Sequence, residues 1–380
     1  MISIVVLNKD KDEMLRQSLL FSMLLIGTSI GINALQLPIW LLLRWTSRPL
    51  YRSWIKWTQE LFTSLVVVIS ALVCPTTIVL SGDLEGLDKD RLILFANHQI
   101  YTDWWYVWEL AWARRLGGSL KIILKASLGK LPIFGWGMKA FEFIFLQRKW
   151  ETDKETLVGN LESARKDAGP LWLLLFPEGT NFSIDTKARS VAFAKKNDIT
   201  QVPKHVLLPR STGLLACISE LKKDNYVQDL VDLTMGFTGV PPSDFAQDIY
   251  TVPRVFTQSL YPPQVHIHIQ SFKLSQIPGL KSTQTHGDQK PDGENAAFTN
   301  WLYERFQSKD QLMAKFYTQG CFTMKGVRVI HPSPAFRDWM HVGLCLSLTG
   351  GLIGLGVLWV VQLNLLSLVW SFVTGWASLV

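Results

Sequence analysis

The chain has 380 residues, enough for two domains or for one large domain with appendages. Hydrophobic residues make up 48% of it and charged residues only 18%, which argues against a purely soluble protein; the apolar excess lies at the two ends. The formal net charge of +7 favours anionic partners, and beside such apolar ends these are phospholipid headgroups of a membrane bilayer rather than nucleic acid.

Residues 1–16 mix Lys9, Lys11 and Arg16 with Asp10, Asp12 and Glu13, unlike the cationic leader of a cleaved signal peptide. The apolar run Leu19 to Leu43 that follows is long enough to cross a bilayer and reads as a permanent anchor. Inside it, GTSIG (Gly27 to Gly31) matches the G-x-S-x-G nucleophile elbow, but an elbow joins a strand to a helix on a soluble sheet. In a membrane run the same two glycines form a GxxxG packing face. Next, Arg44, Arg48, Arg52 and Lys56 interleave with Trp45, Tyr51, Trp54 and Trp57, the pattern of a belt at headgroup depth. A second apolar run, Leu61 to Leu80, with Pro75 expected to kink it, completes a helical hairpin within residues 1–82.

From residue 83 to 336, short β-prone runs alternate with mixed segments, which predicts an α/β domain. Strands are expected at Leu92–Ala96, Lys121–Leu124, Phe141–Leu146, Leu171–Phe176, Val206–Leu208, Leu230–Gly236 and Val265–Phe272. Helices are expected at Tyr101–Ala113, Glu151–Lys166 and Asn300–Phe316, with a mobile loop at 282–296. Lys325, Arg328 and Arg337 form a basic collar before residues 337–380. There two apolar stretches, Val342–Val361 and Leu363–Val380, meet at Gln362, and Gly350 to Gly356 put small residues on the first for packing against the hairpin. Cys74, Cys217, Cys321 and Cys345 have no paired spacing, so neither a disulfide framework nor a zinc site is expected.

Two stretches inside the α/β region carry chemistry. LILFANHQIYTD, Leu92 to Asp103, is a buried strand that breaks at Asn97 into a turn and a helix. His98 stands in the turn and Asp103 one turn into the helix, so the carboxylate can fix the imidazole tautomer and leave the other ring nitrogen free as a general base. LWLLLFPEGT, Leu171 to Thr180, is a second apolar strand ending in Pro-Glu-Gly, which holds Glu178 at a strand's carboxyl end, where α/β domains place ligands.

NHQIYTD (Asn97 to Asp103) and FPEGT (Phe176 to Thr180), in that order, resemble motifs I and III of the glycerolipid acyltransferases, the family of lysophosphatidic acid acyltransferase. FLQR, Phe145 to Arg148, is similar to motif II, and KASLGKLPIFGW, Lys125 to Trp136, resembles the segment preceding it. HVLLPRSTG, His205 to Gly213, matches the fourth motif at Pro209 and otherwise follows a variant. With the stretch Trp301 to Asp310, that variant is similar to the lysocardiolipin and lysophosphatidylinositol acyltransferase branch. The resemblance, which covers roughly Leu61 to Phe322, implies a glycerophosphate-acyltransferase-like α/β domain; the N-terminal and C-terminal membrane helices are read from hydropathy alone. It implies acyl-CoA as co-substrate without a further cofactor or metal, and a lysophospholipid as acceptor. It assigns His98 and Asp103 to catalysis and Asn97, Lys125, Arg148, Glu178, Gly179, Thr180 and Pro209 to substrate binding, with Arg148 on the acceptor's phosphate.

Acyl transfer from a thioester to an alcohol needs a base for the hydroxyl, stabilisation of the oxyanion and a cation for the acceptor's phosphate, and these residues supply the first and the last. Two other readings stay open: a catalytically silent membrane-tethered lipid-binding protein, and a lipid esterase, which needs a serine nucleophile. The expected setting is the endoplasmic reticulum membrane, with a mitochondrial membrane as the alternative. Asn181-Phe-Ser183 is a glycosylation sequon beside the proposed site.

Overall fold

A computed structural model of the chain describes residues 11–280, 292–323 and 325–377. Its strands are β1 (Thr77–Gly82), β2 (Arg91–Ala96), β3 (Leu120–Lys125), β4 (Ile144–Leu146), β5 (Leu171–Leu175), β6 (Asp229–Phe237), β7 (Gln264–Lys273) and β8 (Arg328–Ile330). They form one eight-stranded sheet in the order β4-β3-β5-β2-β6-β7-β1-β8. The five strands from β4 to β6 run parallel; β7 is antiparallel to β6, β1 parallel to β7, and β8 antiparallel to β1. Every residue of β5 and β6 is buried. The uninterrupted apolar character of β5 follows from helices covering both faces, since a parallel strand has no wet side to alternate toward; β6 buries Asp229, Asp232 and Thr234 among its apolar residues.

The helices are α1 (Lys11–Ser22), α2 (Thr28–Leu43), α3 (Arg48–Val73), α4 (Asp103–Ala113), α5 (Phe134–Ala140), α6 (Trp150–Lys166), α7 (Ile184–Lys196), α8 (Ser211–Leu221), α9 (Ala246–Ile249), α10 (Val252–Thr257), α11 (Asp292–Gln319) and α12 (Phe336–Ala377). One core joins α3 and α4 to the first face of the sheet through residues such as Leu65, Ile69, Leu94 and Trp108. The other packs α6, α8 and α11 on the opposite face, around Leu161, Ile218, Phe95 and Phe306.

Among the described residues, three helices are long and apolar enough to cross a membrane: Lys11–Leu43, which passes through a π turn at Met23–Gly27, then Arg48–Val73 and Phe336–Trp359. The glycine pair of GTSIG faces α12, as expected for a packing motif. A β-carbon on Gly31 would run into the backbone of Cys345, one on Gly27 would meet Leu346, and the Thr349 hydroxyl donates to the Gly27 carbonyl at 2.7 Å.

Several expectations are corrected. The second apolar run is not helical to Leu80: α3 stops at Val73, Pro75 lies in the break, and Thr77–Gly82 is strand β1, so the sheet begins before residue 83. A buried helix end and a buried strand in succession read as one apolar stretch, and hydropathy alone cannot divide them. The C-terminal stretches form one helix, because Gln362 has high enough helix propensity to continue it. Val206–Leu208 is loop and Phe141–Leu146 shortens to β4. Of the expected loop at 282–296, residues 282–291 lie outside the described residues and 292–296 open α11.

The belt of cations is partly occupied by protein. Arg48 Nε meets Asp167 at 3.0 Å, and Arg52 meets Glu142 at 2.9 Å and Asp167 at 2.5 Å. Arg48 stays exposed despite its pair, and Arg44, exposed over the rings of Trp40 and Trp45, makes no ion pair among the described residues. Arg52 therefore fastens the hairpin to the α/β domain. Arg52→Gln is expected to lower stability by between roughly 1 kcal/mol, the upper range for an exposed pair, and roughly 3–5 kcal/mol, the cost of breaking a buried one. Thermal unfolding in detergent measures it, and an unchanged midpoint there would return Arg52 to a lipid-facing role.

Candidate active site

Strand β2 ends at Ala96, and the next side chain continues its pairing by other means. The Asn97 amide donates to the Met235 carbonyl at 3.0 Å and accepts from the Met235 N–H at 2.8 Å, extending the β2–β6 ladder beyond Ala96. Asn97 is fully buried and its side-chain amide is engaged with the Met235 backbone, which gives it an architectural role. Its clamp fixes where the chain turns, and His98 is the first residue past it.

His98 Nδ1 lies 2.7 Å from Asp103 Oδ2. The same carboxylate accepts from the Gln99 N–H at 2.7 Å and from the Ile100 N–H at 3.2 Å, so the turn wraps the anion before α4 begins. With Nδ1–H donating to Asp103, Nε2 carries the lone pair, and it makes no hydrogen bond among the described residues. The ring stacks on Phe176 with centroids 4.3 Å apart. Asp103 is completely buried, which raises its pKa, and the His98 ring and the two amides pull it back.

Strand β5 is the neighbour of β2, and its end supplies the second wall. Gly179 adopts φ +70°, a left-handed turn that a β-carbon would strain, and its N–H closes on the Phe176 carbonyl at 3.0 Å. The Phe182 N–H then donates to the His98 carbonyl at 2.8 Å, locking the two turns together. Glu178 is 4% exposed, and neither carboxylate oxygen has a hydrogen-bond partner among the described residues. The amides of His98 and Leu207 approach it and lower its pKa somewhat, yet burial dominates and the pKa stands well above that of an ordinary glutamate. Thr180 is half-buried beside it, and Asn181 is buried, so the sequon is closed to glycosylation in the fold.

The Glu178 environment has a stability consequence. A carboxyl whose folded pKa lies above its unfolded one weakens the fold as pH rises past the unfolded value. Glu178→Gln is therefore expected to raise the thermal midpoint relative to the parent. The gain should be absent near pH 4 and grow toward neutral pH. A difference independent of pH would mean that Glu178 is neutral or solvated throughout.

Cations ring the remaining edge. Lys125 ends β3, in register with Leu146 of β4, and Arg148 follows β4 with φ +65°. Arg210 comes after buried Pro209, its N–H bonded to the Pro177 carbonyl at 2.9 Å, which sets it beside the Glu178 turn. Lys125, Arg148 and Arg210 are exposed and none makes an ion pair among the described residues. Burial of the Arg148 stem and the nearby charge of Arg210 both lower the Arg148 pKa. Two guanidiniums without acids between them favour a dianionic phosphate. The sequence reading used Pro209 and left Arg210 without a role; its separation from Arg148 along the chain hides the pairing.

An apolar cavity of about 450 Å³ opens next to Asp103. Its lining includes Tyr101, Thr102, Trp104 and Trp105 on both sides of that aspartate, Ile122 and Leu124 of β3, and residues of α2 and α5; His98 is not part of it. A volume in the roughly 300–1,000 Å³ range of small-molecule sites, with an almost wholly apolar wall, suits a hydrocarbon chain.

Residues 79–235 match the family model described as Acyltransferase, and residues 288–339 match the one described as Acyltransferase C-terminus. An uncharacterized acyltransferase of Schizosaccharomyces pombe is 35% identical over 314 residues, covering 79% of this chain and 84% of that protein. The 2-acyl-1-lysophosphatidylinositol acyltransferase of Saccharomyces cerevisiae is 34% identical over 316 residues, covering 70% and 75%. Lysocardiolipin acyltransferase 1 of Gallus gallus is 29% identical over 285 residues, covering 74% and 69%.

Proposed function

The chain belongs to the acyltransferase family, and on that premise we propose that it transfers a fatty acyl chain from acyl-CoA to a free glycerol hydroxyl of a lysophospholipid. The observation that carries this reading is the His98–Asp103 pair, with Nε2 making no hydrogen bond among the described residues, beside an apolar cavity that opens next to Asp103; Arg148 and Arg210 stand without ion pairs among the described residues. The donor's acyl chain lies in the cavity and the acceptor's phosphate on Arg148 and Arg210. His98 Nε2 takes the hydroxyl proton as the oxygen attacks the thioester carbonyl. The tetrahedral intermediate collapses with cleavage of the carbon–sulfur bond, and the departing thiolate takes the proton back from His98. Asp103 holds the tautomer and offsets the imidazolium charge. Inositol-bearing lysolipid and lysocardiolipin are the acceptors named for the relatives, and we put them first here.

The esterase reading loses its nucleophile, because Ser29 sits buried inside α2. Incubating the purified chain with lysophosphatidylinositol, lysocardiolipin or lysophosphatidic acid, with and without labelled oleoyl-CoA, tests the proposal. We expect labelled product only when the thioester is present. Fatty acid released without it would mean an esterase, and neither outcome a silent binding protein. The compartment that goes with this reading is the endoplasmic reticulum, and fractionation against mitochondrial membranes tests it.

The cavity predicts acyl selectivity. Leu124 is half-buried on its wall, so Leu124→Trp shortens the space without opening a void in the core. We expect kcat/KM for an eighteen-carbon donor to fall about tenfold relative to a ten-carbon donor, within the roughly 1–3 kcal/mol that apolar pockets discriminate. Equal losses on both donors would place the acyl chain elsewhere.

A further inference from the structure

The C-terminal helix α11 drives one charge into the middle of the protein. Lys309 is 1% exposed. Its ammonium pairs with Asp232 on β6, donates to the Leu233 carbonyl at 2.8 Å and lies 5.1 Å from the centre of the Phe95 ring on β2, three residues before His98. A buried lysine is costly, and one carboxylate is enough to balance it. Here a second carboxylate stands in its field. Glu178, buried and without a hydrogen bond to either oxygen, feels Lys309 as its favourable charge and Asp103 as its unfavourable one. The other charged groups facing this cluster are Arg305 of α11, toward Asp232, and His268 of β7, toward Lys309. Two carboxylates therefore share one ammonium, and only Asp232 holds it directly.

We propose that Lys309 is a positioning residue of the acceptor site: anchored on Asp232, its ammonium keeps the buried Glu178 side chain available as a charged hydrogen-bond acceptor for the incoming hydroxyls. The sheet alone leaves Glu178 with amides that do not complete a bond, so a cation from behind the strands is what remains to offset its burial. The C-terminal region thereby completes a site whose contacting residues all come from the first part of the chain. The inference rests on the acyltransfer reading, in which Glu178 contacts the acceptor.

The test compares the full-length parent with K309M, K309R, E178Q and the double variant D232N/K309M, each assayed with labelled oleoyl-CoA and lysophosphatidylinositol from pH 5.5 to 9.5. Removing the ammonium makes the Glu178 carboxylate harder to form. The acid limb of kcat/KM in K309M should move up by about one pH unit, equivalent to about a tenfold loss on that limb, and should recover at high pH. The KM for the lysolipid should rise and that for oleoyl-CoA stay, while K309R should restore the parental limb. D232N/K309M removes both members of the ion pair and so leaves no unpaired buried charge at this position, and it should show the same displaced limb if K309M alone is unstable. In E178Q the limb assigned to Glu178 should be gone. A folded K309M or D232N/K309M with a loss uniform in pH, or with no loss, overturns the proposal. A parent with no transfer activity overturns the acyltransfer reading instead, and with it the premise on which Lys309 is interpreted.

Discussion

His98→Ala is expected to lower kcat/KM by about two to four orders of magnitude, the range for losing a positioned general base, with expression and membrane extraction unchanged. The ring is a good target because it is only partly buried, with 17% of its side chain exposed, and its one side-chain hydrogen bond is to Asp103. Removing it leaves a space beside Phe176 but does not break the clamp of Asn97 on Met235, which sets the turn. Asp103→Asn tests the other half. Asp103 Oδ2 faces both Nδ1 and the Gln99 N–H, so an asparagine that keeps its oxygen there loses the charge that offsets the imidazolium, while one that turns its NH2 to Nδ1 gives up the Gln99 bond and favours the opposite tautomer, with the ring proton on Nε2. A comparable loss is expected, and the two changes combined should cost little more than either alone, because both act through one proton transfer. Near-parental turnover in His98→Ala would remove general-base catalysis from the proposal, while additive losses would mean that Asp103 acts on something besides the ring.

What was legible in the chain was local. His98 and Asp103 are five positions apart and their contact is made within one turn, so the spacing carried the geometry. The central strands β2 and β5 were legible because they are buried on both faces and therefore read as apolar runs between breaks. Long-range pairings were not. Lys309 and Asp232 are 77 positions apart, and nothing in the sequence of α11 separates a buried lysine from a solvated one. Arg48 and Arg52 look like headgroup cations because the partner of both, Asp167, lies beyond four further strands. Asn97 looked like a ligand contact because a polar residue at a strand end has that appearance whether it faces substrate or, as here, a neighbouring backbone. The second apolar run failed differently: α3 and β1 have the same composition, and only Pro75 marked the change of period.

Arg148→Ala is expected to raise KM for the lysophospholipid by about 10- to 100-fold, since each hydrogen bond to a charged group contributes roughly 1.5–3 kcal/mol. The argument begins with what Arg148 lacks. It is exposed, makes no ion pair among the described residues, and sits near a second guanidinium that lowers its pKa. Two like charges kept side by side without an acid cost stability unless something binds between them, and here Arg210 is held in place by its own N–H on the Pro177 carbonyl. A phosphate on the acceptor supplies the missing charge and accepts from both planar forks. Arg148→Lys keeps one charge and loses the fork, so it should fall between parent and alanine. Arg210→Gln should raise the same KM by a similar factor, although it stands far from Arg148 in sequence. The acyl-CoA donor carries phosphates too, and saturation curves for the two substrates separate the sources. Increases confined to the lysolipid place the acceptor's headgroup on the arginine pair; increases confined to oleoyl-CoA would move both arginines to the donor and leave the acceptor's phosphate to another exposed cation such as Lys125, which ends β3 and makes no ion pair among the described residues.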